Sequence, residues 1–446
     1  MRVRFKTFGC KANQYDTDRM RQELAARGAI NVDGAGRVDV YVVNTCTVTN
    51  AADAEARRFI RRIHRESPEA HVVVAGCSAA LRADEYADIT GVGAVVPGHD
   101  PVEVARAASL RPKLVQLGIG RGCDDLALEP IGAKILSRRE GATRGWLKIQ
   151  DGCDRRCSFC ATRLARGASR SREVDEVVRE ALQLAAHHPE LVLTGIHIGH
   201  YGRDLETRPT LSRLLAQLLD AVPEVRFRLG SVEATEVDDL LLELIVTSGG
   251  RVAPHLHMPL QSGADSVLRR MRRWHTRDAY RRRAMEIAAQ VTPLGLGADL
   301  ITGFPGETES DHRDTVELVE ELPFTYLHVF PFSPKDGTMA EDLPNPVPQR
   351  VAGERSLELR ELVRDKGVEY RTSRAGQRAR VTLEANGATA LTGDYLRVEA
   401  RGTGMEDVAH LHDGVLRGIG QDLYIELAGS AFSGMESSHR SCLSSI

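Results

Sequence analysis

The sequence predicts an α/β chain in three parts: an N-terminal open parallel sheet, a partial (β/α)6 barrel, and a small C-terminal β-barrel of the oligonucleotide-binding (OB) type. Three observations carry this prediction. Residues 1–110 alternate strand-like and helical patterns, which implies a parallel sheet flanked by helices. Residues 142–370 alternate again at the spacing of βα units. Residues 376–430 change to short β-runs separated by Gly and Asp turns.

In the first part, strands are expected at 3–8, 38–44, 72–75 and 94–96, with helices at 15–27, 51–66 and 102–108. Residues 111–141 carry scattered Gly and Pro and read as a linker with an edge strand. The second part places strands at 146–150, 191–194, 226–229, 255–258, 297–301 and 326–330. Six units suggest an incomplete barrel, with functional residues at the carboxyl ends of the strands. A Pro-rich break at 343–348 precedes a helix pattern over 351–370. C-terminal strands are expected at 380–384, 395–400 and 422–427, and the Ser-rich tail 431–446 is expected to be disordered.

A chain of 446 residues is too long for one compact core. Its 42% hydrophobic and 27% charged residues are those of a globular protein. The net charge of −3 does not announce a nucleic-acid binder, so any basic surface is local. No apolar run is long enough to span a bilayer. The opening strand interleaves Arg2, Arg4 and Lys6 and lacks the apolar core of a secretory signal, so a cytoplasmic setting and no membrane partner are expected.

Eight cysteines in such a chain point to metal ligation before disulfides. Cys153, Cys157 and Cys160 form a C-x-x-x-C-x-x-C run directly after a strand. Thiolates hold iron–sulfur clusters, normally four at a time. Three thiolates leave one iron open to bind the amino and carboxylate groups of S-adenosylmethionine (SAM) and pass an electron to its sulfonium. A zinc knuckle would need a fourth ligand nearby, and His187 and His188 are the nearest candidates. Cys10, Cys46 and Cys77 each follow the carboxyl end of a predicted parallel strand. Such ends converge on one crevice, so these thiols can hold a second cluster. Buried cysteine as a small hydrophobe is the plainer reading. Cys123 and Cys442 read as spare thiols.

With these residues in hand, the chain resembles the methylthiotransferases of the radical SAM superfamily. The resemblance rests on Gly9-Cys-Lys-Ala-Asn-Gln-Tyr-Asp16, Asn44-Thr-Cys-Thr-Val-Thr49 and Val74-Ala-Gly-Cys77. It continues through 147–167, Leu193-Thr-Gly195, His257-Met-Pro-Leu-Gln-Ser-Gly263, 299–307 and His328-Val-Phe-Pro-Phe-Ser333. It implies a cluster domain, a radical SAM partial barrel and a TRAM domain. The first motif looks like the branch that acts on N6-threonylcarbamoyladenosine at position 37 of tRNA. Other branches act on isopentenyladenosine or on a ribosomal-protein aspartate. The implied reaction puts a methylthio group on adenine C2 with two SAM molecules and two 4Fe-4S clusters, one per cysteine triad. An electron donor of flavodoxin or ferredoxin type is implied, and the sulfur donor is left open.

The cofactor pocket is expected around Thr194, Gly195, Ser231, Glu233, Gln261 and Ser262, with Gly303, Phe304, Pro305 and Gly306 bringing backbone close to an adenine. Each has a structural alternative, a turn or a surface carboxylate. Two departures fall here: Ala161-Thr-Arg-Leu follows Cys160 where the family often has an apolar pair and Pro, and Ala234 replaces a Pro.

RNA contacts are expected from Arg269, Arg270, Arg272, Arg273, Arg281, Arg282 and Arg283, interleaved with Trp274, His275 and Tyr280. A solvated helix face is the alternative. The anticodon loop is a suitable partner because its bases are unpaired and can be splayed into a pocket. From a different class, a zinc-stabilised RNA-binding protein without catalysis remains open.

Overall fold

The computed structural model describes residues 1–34, 36–48, 50–109, 135–402 and 407–428, together with the backbone of Val115–Gln116. Cys123, Cys442, the tail and most of the linker lie outside the described residues. No helix among the described residues is long and apolar enough to cross a membrane.

The N-terminal unit runs β1 (Arg2–Thr7), α1 (Lys11–Ala26), β2 (Ile30–Asn31), β3 (Val40–Thr45), α2 (Asn50–Glu66) and β4 (His71–Gly76). It continues with α3 (Cys77–Leu81), α4 (Ala83–Ala87), β5 (Val92–Val95), α5 (Pro101–Ser109) and the short β6 (Val115–Gln116). The sheet order is β2-β1-β3-β4-β5-β6, all parallel. Val42, Val43, Val73 and Val74 are fully buried, as strands covered on both faces require. Thr7 lies opposite Asn44, and Asn44 opposite Ala75, so three strands end at one level.

The second unit runs β7 (Arg144–Lys148), β8 (Gln150–Asp151), α6 (Thr162–Arg166), β9 (Arg170–Ser171), α7 (Val174–Ala185), β10 (Glu190–Thr194), α8 (Leu211–Ala221) and β11 (Arg226–Leu229). It then runs α9 (Asp239–Thr247), β12 (His255–His257), α10 (Asp265–Arg270), α11 (Arg277–Gln290), β13 (Gly295–Thr302), α12 (Glu309–Glu321), β14 (Tyr326–Pro331) and the long α13 (Gln349–Ser373). Two parallel sheets, β7-β10-β11 and β12-β13-β14, are joined by a parallel bridge between Ser231 and His257. Together they make the open six-stranded barrel. Leu193, Phe227, Leu256 and Leu300 fill its wall with no exposed surface, each contributing about 1.5–3 kcal/mol by burial.

The third unit is a closed barrel of β15 (Arg378–Leu383), β16 (Thr389–Thr392), β17 (Arg397–Gly402), β18 (Leu411–Arg417) and β19 (Tyr424–Leu427), in the order β15-β16-β17-β19-β18. Strands β16 and β18 were not expected from sequence. The first is four residues long, and the second is interrupted by Gly414 and weakly patterned. Arg226 and Arg228 of β11 fasten this barrel to the second unit. They donate to the carbonyls of Arg380, Leu391, Thr392 and Gly393 while pairing with buried Glu190.

His188 is locked as a neutral ring. Its Nε2 accepts from the Arg139 amide at 3.0 Å, and its Nδ1 donates to the Thr143 carbonyl at 3.0 Å. Burial lowers its pKa from 6.5 to about 4. A depressed histidine leaves stability intact above the unfolded value and removes it as pH falls from 6.5 towards 4, because only the unfolded chain takes up the proton. The expected loss at pH 4 is on the order of 3 kcal/mol. Urea midpoints measured over this range should fall more steeply for the wild type than for His188→Gln.

Candidate active site

The two cysteine triads lie at the carboxyl edges of two adjacent sheets. Cys10 caps α1, Cys46 follows β3, and Cys77 opens α3. Gly9, at φ +106°, has no room for a Cβ beside Cys46, and Gly76, at φ +98°, has none beside Asn44 and Thr45. Both turns therefore need glycine. Asn13 ties the crevice together: its Nδ2 donates to the carbonyls of Phe8 (2.9 Å) and Thr45 (2.8 Å), and its Oδ1 faces the sulfurs of Cys77 (3.6 Å) and Cys10 (4.0 Å).

The second triad sits on the loop after β8. The Cys153 amide donates to the Gly167 carbonyl, and Ser158 anchors the loop to the end of α10 through its Oγ and the Arg270 carbonyl, 2.8 Å. Each sulfur has a polar neighbour. Cys153 faces His197 Nδ1 at 3.6 Å, Cys157 accepts from Arg273 Nη1 at 3.7 Å, and Cys160 accepts from the Thr162 amide at 3.4 Å. Glu236 accepts from His197 Nε2 at 2.9 Å and orients the ring.

Burial pushes the Cys77 and Cys153 thiols up to about 12, and Cys46 and Cys157 also rise. These thiols keep their protons until a metal displaces them. The two donor sets fit iron–sulfur clusters better than single ions. Among the described residues, neither cysteine triad belongs to the groups whose ligand atoms all lie within 4.8 Å of one another. Thiolates around one tetrahedral zinc, at about 2.3 Å each, would sit closer than that.

Arg166, the last residue of α6, joins the two units, and sequence reading gave it no role. It is fully buried. Its Nε donates to Cys77 Sγ at 3.1 Å. Its Nη2 reaches Asn13 Oδ1 (2.6 Å) and Asp16 Oδ2 (2.7 Å), and its Nη1 reaches Asp151 (3.0 Å). Lys148 bridges the same two carboxylates, 2.7 Å to each, and His99 lies 3.0 Å from Asp151. Burial alone would raise Asp151, but Arg166 and Lys148 hold its carboxyl well below the usual range.

Beside Cys160, between the loop that follows Cys46 and the barrel mouth, opens a cavity of about 700 Å³. Its walls include Val48 and Ala51 from the first unit, Phe159 and Cys160 from the loop of the second triad, and Ile301, Phe330 and Phe332 from the barrel. The polar lining includes Gln261, Asp299 and Lys335, whose ammonium donates to Asn50 Oδ1.

The predicted pocket residues divide. Thr194 ends β10 and Gly195 follows it, packed against Gln150. Ser231 is exposed at the end of β11. Glu233 is buried and paired with Arg273. Gln261 lines the cavity at φ +71°, whereas Ser262 turns away to Thr315 and the Ala264 amide. At the end of β13, Glu307 accepts from the amides of Gly303 and Phe304, and Ala352 of α13 occupies the space beside Gly303. Phe304 is fully buried there, Pro305 continues the turn, and Arg270 lies over Gly306.

The arginine run also divides. Arg273 points inward, because Glu233 and Cys157 take its guanidinium. Arg270 donates to the Gly306 carbonyl, Arg281 pairs with Glu321, and Arg283 binds the Val237 carbonyl. Arg269, Arg272 and Arg282 are exposed. Tyr280 is buried on the Met258 carbonyl, and Trp274 is flanked by Arg155 and Arg273.

A three-thiol loop at the mouth of an open six-stranded barrel defines a radical SAM enzyme, and residues 147–319 match the Radical SAM superfamily. Residues 2–98 match the uncharacterized protein family UPF0004. The chain is 35% identical over 413 residues to the threonylcarbamoyladenosine tRNA methylthiotransferase MtaB of Bacillus subtilis, covering 90% of each chain. It is 34% identical over 406 residues to the protein of the same name from Aquifex aeolicus, covering 90% of this chain and 97% of that one. A tRNA-2-methylthio-N(6)-dimethylallyladenosine synthase of Acidothermus cellulolyticus is 31% identical over 383 residues, covering 83% and 75%. The chain belongs to the radical SAM methylthiotransferase family. That membership removes the reading of a non-catalytic zinc protein.

Proposed function

We propose that this enzyme places a methylthio group on C2 of N6-threonylcarbamoyladenosine at position 37 of tRNA, in the cytoplasm, consuming two SAM molecules and holding two 4Fe-4S clusters. The observation that carries the reading is the two cysteine triads at the strand ends of adjacent units, with a cavity beside Cys160 and Arg166 tying Cys77 to the second unit. The names of the relatives at 34–35% identity support the substrate.

When bound, the cluster at Cys153, Cys157 and Cys160 supplies the electron that cleaves SAM, and the one at Cys10, Cys46 and Cys77 carries the sulfur. The protein's part is placement. Phe159, Phe330 and Phe332 offer flat apolar walls to a splayed base and exclude water. Thr194–Gly195, Ser231, Glu233 and Gln261, at strand ends, are assigned to SAM; burial raises the Glu233 carboxyl, and its pairing with Arg273 opposes that rise. Ser262 and the Gly303–Gly306 turn support this wall from behind. Arg269 and Arg272 are exposed to meet RNA phosphates, as is Arg282, which pairs with Asp278 at 3.2 Å on the surface of α11. A one-electron donor of flavodoxin or ferredoxin type completes the cycle.

The test is nucleoside mass spectrometry on tRNA from a strain lacking the gene, with and without the gene restored. The 2-methylthio form of threonylcarbamoyladenosine should appear only on restoration. Methylthiolated isopentenyladenosine instead would overturn the substrate and keep the chemistry. No change in any tRNA nucleoside would redirect the search to a ribosomal-protein aspartate.

A further inference from the structure

The segment that follows Cys160 touches residues of both cysteine triads. The Cys160 sulfur accepts from the Thr162 amide at 3.4 Å, where α6 opens. One helical turn later Gly167, at φ +76°, ends the helix, and its carbonyl accepts from the Cys153 amide at 3.1 Å. The same short helix packs on α3, which opens with Cys77. Between them stands Arg166, whose Nε donates to Cys77 Sγ at 3.1 Å. Arg273, the guanidinium beside the second triad, reaches Cys157 only at 3.7 Å. The other nitrogens of Arg166 are held elsewhere: Nη2 by Asn13 Oδ1 (2.6 Å) and Asp16 Oδ2 (2.7 Å), and Nη1 by Asp151 (3.0 Å). With both ends of the planar fork fixed, the Nε–H has one direction left, and Cys77 lies along it.

The Cys77 thiol has two polar neighbours, Arg166 Nε and, at 3.6 Å, Asn13 Oδ1. As a metal ligand the sulfur is a thiolate, which has no proton to give to Asn13. Arg166 is then its one hydrogen-bond donor among the described residues. Cys46, by contrast, is served by the Val48 amide of its own loop at 3.3 Å. Hydrogen bonds to the sulfurs are among the levers that set the potential of an iron–sulfur cluster, because a donor stabilises the extra negative charge of the reduced form. Here the donor is a guanidinium, so the bond is charge-assisted. Arg166 is 1% exposed and Cys77 6%, so water and salt screen the pair little.

We infer that Arg166 is a positioning residue for the cluster at Cys10, Cys46 and Cys77: its Nε–H holds the Cys77 sulfur and raises the one-electron reduction potential of that cluster. This rests on the two-cluster reading. The donor comes from the second unit and the sulfur from the first, so the potential depends on the docking of one unit on the other. A first unit displaced from the barrel would keep its three thiols and lose the donor.

The test is an EPR-monitored titration of the reconstituted full-length enzyme with dithionite as the electron donor. The two reduced clusters are told apart with S-adenosylhomocysteine, which keeps the amino and carboxylate groups of SAM and perturbs only the signal of the cluster it binds. For the unperturbed signal, Arg166→Gln should shift the one-electron equilibrium about tenfold towards the oxidised form, a midpoint about 59 mV lower. Arg166→Lys keeps the charge and should recover part of the shift. Asp151→Asn loosens the same seam but keeps the Nε donor and removes a negative charge, so it should not lower the midpoint. An unchanged midpoint in Arg166→Gln overturns the inference, and so does an equal fall in Asp151→Asn, which would assign the effect to loosening. Should Arg166→Gln fail to hold iron, the wild type decides. With arginine carrying 15N in its guanidinium, pulsed EPR at the unperturbed signal should show a 15N hyperfine coupling. Wild type with about eight iron atoms per chain and no such coupling overturns the inference alone, whereas about four iron atoms overturns the two-cluster reading and the inference with it.

Discussion

In protein reconstituted anaerobically with iron and sulfide, Cys157→Ala is expected to abolish SAM cleavage and to lower bound iron from about eight to about four atoms per chain. Cys46→Ala should lower iron by the same amount, keep SAM cleavage and abolish methylthio transfer. The dissociation follows from where the thiols stand. Cys157 belongs to the loop at the barrel mouth, beside Arg273 and Glu233, whereas Cys46 belongs to the parallel sheet of the first unit and is held by the Val48 amide at 3.3 Å. The two triads share no ligand, so loss of one sulfur should leave the other set able to bind. Retention of SAM cleavage by Cys157→Ala would contradict the assignment of the radical step to that loop. Loss of all iron in Cys46→Ala would show that the sites assemble as one unit.

The grouping of the six cysteines into two triads could be proposed from the sequence because its signal is local. A loop spacing marks one triad, and the position after each of three predicted parallel strands marks the other. Most strands were legible for the same reason. The residues between the triads were not, because their roles depend on approach in space across long stretches of chain. Arg166 and Cys77 are 89 positions apart, and Lys148 and Asp16 are 132 apart. Arg166 stood in a quoted motif, yet nothing in sequence said that its guanidinium would meet four acceptors from two units. The arginine run shows the opposite error. Seven arginines close together look like one surface, but Arg273 sits at a turn where a buried glutamate turns it inward, and only the fold sorts it from Arg272. The Gly303–Gly306 turn looked like a ligand cradle because glycine permits close approach. What approaches in the structure is α13, through Ala352.

Arg166→Leu should be the most destabilising single change away from the cysteines. In the wild type two buried cations, Arg166 and Lys148, face two buried carboxylates, Asp16 and Asp151. Leucine fills part of the space but leaves two carboxylates on one ammonium, and Asn13 Oδ1 and Cys77 Sγ lose their donor. Breaking one partner out of a buried charge set costs about 3–5 kcal/mol, far more than an exposed pair would. The position is also a seam between units, since Asp16 and Asn13 come from α1 while Arg166 and Asp151 come from the barrel. Urea unfolding should therefore show an early separate transition for the first unit in Arg166→Leu. Arg166→Lys should recover only part of the loss, because one ammonium cannot reach four acceptors arranged around a planar fork. Adding Asp151→Asn to Arg166→Leu restores the balance of one carboxylate to one ammonium and should recover part of the midpoint. A double variant that is less stable than Arg166→Leu would show that hydrogen-bond geometry, and not charge balance, sets the strength of this seam.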